Sequence, residues 1–95
     1  MKKIAFDWDA KKAARNLRKH KVSFEEASSV FFDEYALEFF DPDHSTDEDR
    51  FLMLGLGSRM RLLVVVYSIR EKGPTIWIIS ARKATAKERK TYKRK

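Results

Sequence analysis

Four arginines, Arg50, Arg61, Arg70 and Arg82, are the side chains in this 95-residue chain best suited to chemistry. A guanidinium is planar, stays charged, and grips two oxygens of a phosphate or carboxylate at once. Arg50, Arg61 and Arg82 fall within apolar runs at spacings that can gather them on one face of a sheet. Arg82 also introduces a basic stretch, "ARKATAKERKTYKRK", in which Lys83, Lys87, Arg89 and Lys90 follow. Cations held on a rigid strand beside a basic helix make an anion site, and phosphate fits that fork. The competing reading has the same arginines lying over aliphatic neighbours and pairing with acids of the chain. Spacing alone leaves both open.

Other reactive groups are sparser. His44, in "DPDHSTDEDR", titrates near neutral pH; it reads equally as a solvated loop histidine flanked by aspartates. His20 sits at a helix end, where the dipole favours its charged form, and reads as structural. Glu48 could serve as a base, but it is one of ten acids in its block. Tyr67 falls beside the arginines in the expected pairing. Tyr92 lies one turn beyond Glu88 and would either stack on a base or pack on the sheet. The acidic segment lacks the spaced Gly and terminal Glu of a calcium loop, so no metal site is expected. Without cysteine there is neither a thiolate ligand nor a disulfide. No P-loop, GxGxxG or Ser-His-Asp pattern is present, so no cofactor is expected, and Trp8 and Trp77 read as core residues.

Charge is distributed in blocks. Residues 1–21 carry eight basic and two acidic side chains, residues 22–49 ten acidic and no basic ones, and residues 50–95 thirteen basic and two acidic. The net charge of +7 therefore conceals a strongly basic second half, the footprint of a polyanion partner such as nucleic acid. The longest apolar run, Leu62 to Tyr67, is too short to span a membrane, and the first ten residues lack a signal-peptide core. One cytoplasmic domain over residues 1–95 is the expectation.

The elements that must position these groups follow from periodicity. "KIAFD" reads as a short strand. Asp9 caps a helix of roughly 10–20, with Ala10, Ala13, Ala14 and Leu17 on its apolar stripe. Ser23 and Glu26 form a capping box, with Val22 and Ala27 as the staple, for a helix to about Phe32. "YALEFFD" alternates as a strand, and three more follow near 50–57, 60–70 and 75–82. Thr85 and Glu88 form a second capping box for a final helix. A II′ hairpin at Gly57-Ser58 would pair Arg50 with Val65 and Leu52 with Leu63, whereas a three-residue loop at Gly57 would break the parity for Arg50. The turn "EKGP" would pair Leu63 with Arg82, Val65 with Ser80 and Tyr67 with Ile78. One face would then be apolar, with Phe51, Met53, Leu62, Val64, Val66, Trp77 and Ile79. The other would mix Arg50, Arg61, Arg82 and Tyr67 with aliphatics, leaving Arg70 opposite and Arg82 diagonal to Arg61.

Taken in order, "FDWD", "NLRKH", "VSFEEA", "VFFD", "DPDHSTDEDRF", "RLLVVVYSIR" and "IISARKATAKERKTY" resemble the BrnT family of toxins, from about Phe6 to Tyr92. The resemblance implies an α+β, RelE-like fold: a compact antiparallel sheet with two N-terminal helices and a C-terminal helix. It implies a type II toxin-antitoxin system in which a ribbon-helix-helix, BrnA-like antitoxin neutralises the toxin, two toxins assemble with two antitoxins, and the antitoxin binds operator DNA. The family usually carries Gly after "KH"; here Lys21 stands there, at a helix end that favours Gly. The implied activity is ribonuclease cleavage without a metal, inhibiting translation and growth. Arg50, Arg61, Arg82 and Arg70 would stabilise charge on phosphate with His44 as a proton-transfer group. Lys83, Lys87, Arg89, Lys90, Tyr92 and Tyr67 would contact RNA. A non-catalytic nucleic-acid or antitoxin-binding module is the alternative.

Overall fold

The computed structural model describes residues 4–42, 49–70 and 75–92. His44, Glu48 and the turn residues 71–74 lie outside them. Local signals become elements in order: β1 (Ala5–Asp7), α1 (Ala10–His20), α2 (Phe24–Ser29) running into a 3-10 turn (Val30–Phe32), β2 (Leu37–Asp41), β3 (Arg50–Leu56), β4 (Leu62–Arg70), β5 (Thr75–Lys83) and α3 (Ala86–Thr91). Asp9 caps α1 by accepting from Lys11 and Lys12 N–H. The Ser23 hydroxyl accepts from the Glu26 N–H at 3.0 Å. The Glu26 carboxylate turns to Arg61 instead of completing the capping box.

The strands form one sheet in the order β1-β5-β4-β3-β2. It is antiparallel except that β1 pairs parallel with β5, which makes the sheet mixed. α1, α2 and the 3-10 turn cover one face, where Val22, Phe24, Ala27 and Val30 pack on Leu63, Val65, Ile78 and Ala81. The other face holds Leu54, Leu62 and Val64, packed with Leu37, Leu52, Ala84 and Tyr92 around α3. Asn16 ties α1 across the first face. Its side-chain amide donates to the Val22 and Ala81 carbonyls and accepts from the Ala81 N–H, at 3.0, 2.8 and 3.1 Å.

Two local irregularities overturn the expected register. The β3–β4 connection is not a II′ turn. Gly57 N–H bonds the Arg61 carbonyl and Met60 N–H the Gly57 carbonyl, with Met60 at φ 62°, so three residues make the loop. β3 therefore pairs Leu52 with Val66 and Leu54 with Val64. On β5 a bulge intervenes: Tyr67 pairs with Ile78 as expected, but Val66 pairs with Ser80, leaving Ile79 extra. Beyond it Val65 faces Ala81 and Leu63 faces Lys83, not Ser80 and Arg82. The slips are of three residues at the turn and one at the bulge, and an odd slip exchanges the two faces of a strand. Leu63, Val65 and Tyr67 thus join the helix-covered core, while Leu62, Val64 and Val66 face α3.

Lys21 adopts the left-handed conformation at the end of α1, φ 61° and ψ 30°, with its N–H on the Leu17 carbonyl. This is the C-cap position where glycine is unstrained. Lys21→Gly is expected to stabilise the protein by about 1 kcal/mol, the strain relieved less the extra freedom of the unfolded glycine. A rise of a few degrees in Tm, with the exposed Met60→Gly as a parallel case, checks it.

Candidate active site

The corrected register brings a different set of cations together. Alternation along β3, β4 and β5 puts Arg50, Ser68, Arg70, Trp77, Ser80 and Arg82 on the α3 face, because Leu52, Val64 and Val66 are their neighbours. Continuing the β3–β4 pairing sets Arg50 beside Ser68, and Ser68 pairs with Trp77. On the other flank Asp41 is the direct partner of Arg50. Arg70, expected on the opposite face, joins this one, and its guanidinium carbon lies 4.4 Å from the Trp77 ring centroid.

Arg82 stands at the far end, where the sheet passes into α3. Ala84 N–H bonds the Leu62 carbonyl, closing the ladder, and Thr85 then caps the helix. Glu88 completes the capping box, its carboxylate accepting from the Thr85 N–H at 2.8 Å. The same carboxylate takes both terminal nitrogens of Arg82, at 2.8 and 2.9 Å. One Arg82 nitrogen also donates to the Lys83 carbonyl at 3.3 Å. Of the five guanidinium donors, Nε–H and one terminal N–H remain to meet a further anion from among the described residues. The Arg82 side chain is 39% exposed, so that edge is open to solvent.

The hydrogen bonds from Arg82 hold the Glu88 carboxyl well below its ordinary 4.5, at about 2, with the Thr85 N–H adding to the effect. A folded pKa below the unfolded one gives stability that is complete above 4.5 and is lost as pH falls through about 2. Melting between about pH 6 and pH 2 should therefore show wild type losing its advantage over Glu88→Gln at the acid end. A constant difference across that range would mean that the pair is not coupled to folding.

The basic residues of the final segment present a cationic rim. Lys83, Lys87, Arg89 and Lys90 are all exposed. Tyr92 is half-buried against the second core, and its hydroxyl donates to Asp33 at 2.6 Å, clasping the end of α3 to the 3-10 turn. Of the two outcomes for Tyr92, packing is the one observed.

Two expected site residues are elsewhere. Arg61 points to the helix-covered side. Its Nε–H donates to Glu26 at 2.9 Å, a terminal nitrogen donates to the other Glu26 oxygen, and that nitrogen also reaches the Lys21 carbonyl at 2.8 Å. Arg61 and Arg82 therefore do not share a face. Tyr67 is 1% exposed, packed against Phe31 and Phe51 with its hydroxyl on Glu38. Burial and that carboxylate push its pKa far up, so it offers neither surface nor proton to a ligand. Sequence reasoning missed Trp77 and Asp41 as members of the arginine face. For Trp77 strand parity carried the signal and the three-residue turn concealed it; Asp41 meets Arg50 through the β2–β3 pairing, which no turn signal in the sequence fixes.

A pocket of about 80 Å³ lies between α3 and the sheet, lined by Phe39, Leu52, Leu54, Val64, Glu88 and Thr91. A larger hollow of about 510 Å³ beside the 3-10 turn carries Asp33 and Glu34, the wrong sign for phosphate. Among the described residues no three His, Cys, Asp or Glu side chains converge as metal ligands. Nor is any of their helices long and apolar enough to cross a membrane.

These features define a small basic α+β protein with a cationic sheet face at its C-terminal helix. The family described as ribonuclease toxin, BrnT, of type II toxin-antitoxin system matches residues 8–88, and the chain belongs to that family. It is similar to the Brucella abortus ribonuclease toxin BrnT, known from a crystal structure at 1.1 Å. The TM-score is 0.65 at 21% identity over 87% of this chain and 99% of that one, a likeness that shows the α+β fold. No curated protein matches the chain significantly. Membership of a type II toxin-antitoxin family implies an antitoxin partner.

Proposed function

We propose that the chain, residues 1–95 acting as one domain, is an endoribonuclease toxin that cleaves RNA on the α3 face without a metal ion. The observation that carries this reading is the placement of Arg50, Arg70 and Arg82 along one face of the sheet beside an exposed basic helix. In such a reaction the ribose 2′-oxygen attacks the adjacent phosphorus, the bond to the 5′-oxygen breaks, and a cyclic phosphate forms. Negative charge grows on the non-bridging oxygens, where preorganised guanidinium groups act. A base removes the 2′-proton and an acid protonates the leaving oxygen. Glu88, at about 2, is too weak a base and serves instead to hold Arg82. His44 is retained as the acid. Lys83, Lys87, Arg89 and Lys90 hold the RNA backbone, so affinity falls steeply with salt.

Cleavage would inhibit translation and growth in the cytoplasm. A BrnA-like ribbon-helix-helix antitoxin would neutralise the toxin by covering this face with a carboxylate-bearing segment, two toxins assembling with two antitoxins that bind operator DNA. The test is induction of the chain alone and with its neighbouring gene, following growth and total RNA, and cleavage by purified protein with and without EDTA. Growth arrest relieved by the neighbour, with EDTA-resistant cleavage, is expected. RNA that is bound but never cleaved would instead make the chain a non-catalytic module.

A further inference from the structure

We propose that Arg70 and Trp77 form a platform on which a nucleobase of single-stranded RNA stacks, beside a phosphate grip at Arg50. The proposal rests on the reading of the α3 face as an RNA-cleaving surface, and gives Arg70 a base-binding part in it.

Trp77 pairs with Ser68, and Arg70 follows two residues later on the same strand face, so the two long side chains meet diagonally across β4 and β5. The Arg70 guanidinium carbon sits 4.4 Å above the indole centroid. Trp77 is half-buried and Arg70 exposed, so the guanidinium lies on the solvent side of the indole. Ser68, between Arg50 and Trp77 in the row, is small and fully buried, and the long side chains flank it. α3 does not reach this end, since it packs near Leu54, Leu62 and Val64.

The chemistry of that surface selects its ligand. A carboxylate or phosphate is gripped by the edge of a guanidinium. The flat face of one already lying on an indole suits a second flat π system, and stacking on arginine planes and aromatic rings is how unpaired bases are held. The contact with the indole already restricts the arginine, so less side-chain freedom is lost on binding. Arg82 lies five residues along β5 from Trp77, about 16 Å at strand rise. Platform and Arg82 thus serve different nucleotides of one strand. Stacking tolerates any base, so the platform sets position more than sequence.

The test uses the full chain with Trp8→Phe, which leaves Trp77 as the one remaining indole. Two probes are titrated: a short 2′-O-methylated RNA oligonucleotide, which cannot be cleaved, and an abasic phosphodiester of equal length. Quenching of Trp77 by the first and not the second is expected. Arg70→Lys keeps the charge and removes the plane; it should weaken the base-bearing probe about 10-fold and leave the abasic one unchanged, and Trp77→Leu, read through a fluorophore on the oligonucleotide, should do the same. Arg70→Lys decides the matter if Trp77→Leu melts early. Equal loss on both probes, loss on neither, or weakened antitoxin binding with RNA binding intact would overturn the platform while cleavage by the unsubstituted chain upholds the wider reading. Failure of the unsubstituted chain to bind or cleave RNA would overturn both.

Discussion

Arg61→Ala is expected to destabilise the protein by about 1–3 kcal/mol, the cost of leaving the buried Glu26 carboxylate without its donor, below the range for a fully buried pair because the Arg61 side chain is 26% exposed. Glu26, whose side chain is 3% exposed, would lose its two hydrogen-bond donors. The Lys21 carbonyl would also lose a donor, at the strained end of α1. Because a small domain holds about 5–15 kcal/mol in total, that loss should lower Tm by several degrees. Arg61→Ala combined with Glu26→Leu removes both charges and should recover much of the loss, since replacing a whole buried pair by apolar groups is often near neutral. Urea denaturation of the single and double variants measures this. If Arg61→Ala melted like wild type and lost RNA cleavage, the arginine would belong to the catalytic surface after all.

Arg82→Ala is expected to behave in the opposite way, keeping the fold and losing RNA cleavage by about 10²-fold or more, the scale for one preorganised charge-stabilising donor. Both members of its ion pair are part-exposed, at 39% and 32%, so the pair itself contributes no more than about 1 kcal/mol. Arg82→Lys should recover only part of the activity, because an ammonium cannot hold Glu88 with two donors and still offer an edge to phosphate. Glu88→Ala frees both the Thr85 N–H and Arg82, so it should lower Tm and reduce cleavage together. Single-turnover cleavage beside thermal melting separates these outcomes. An Arg82→Ala protein that is fully active would move the chemistry away from this strand end.

The divergent expectations for two arginines that look alike in the sequence show where legibility ended. Asp9, Ser23 and Thr85 are read as caps because a side chain and the backbone two or three residues on are enough to make one. The strands are read from runs such as "RLLVVVYSIR", and the BrnT resemblance from an ordered set of such runs. Lys21 at positive φ is anticipated by the glycine it displaces. Nothing local announces that Glu26 meets Arg61 across 35 residues or that Asn16 meets Ala81 across 65.

The sequence by itself determined the elements, their caps, the basic character of the second half and the family, since each rests on interactions within a turn or a strand or on an ordered pattern. The tertiary structure alone decided which cations share a face. A three-residue turn ending on Met60 shifts the β3–β4 pairing by three residues and a bulge at Ile79 shifts the β4–β5 pairing by one, and with a side-chain period of two either odd shift moves whole rows across the sheet. Arg61 passes from the expected site to the helix packing, Tyr67 from RNA to the core, and Arg70 and Trp77 come beside Arg50. Turn length and bulge position are set by how two packed layers close on the sheet, a balance of long-range contacts that no short stretch of residues encodes.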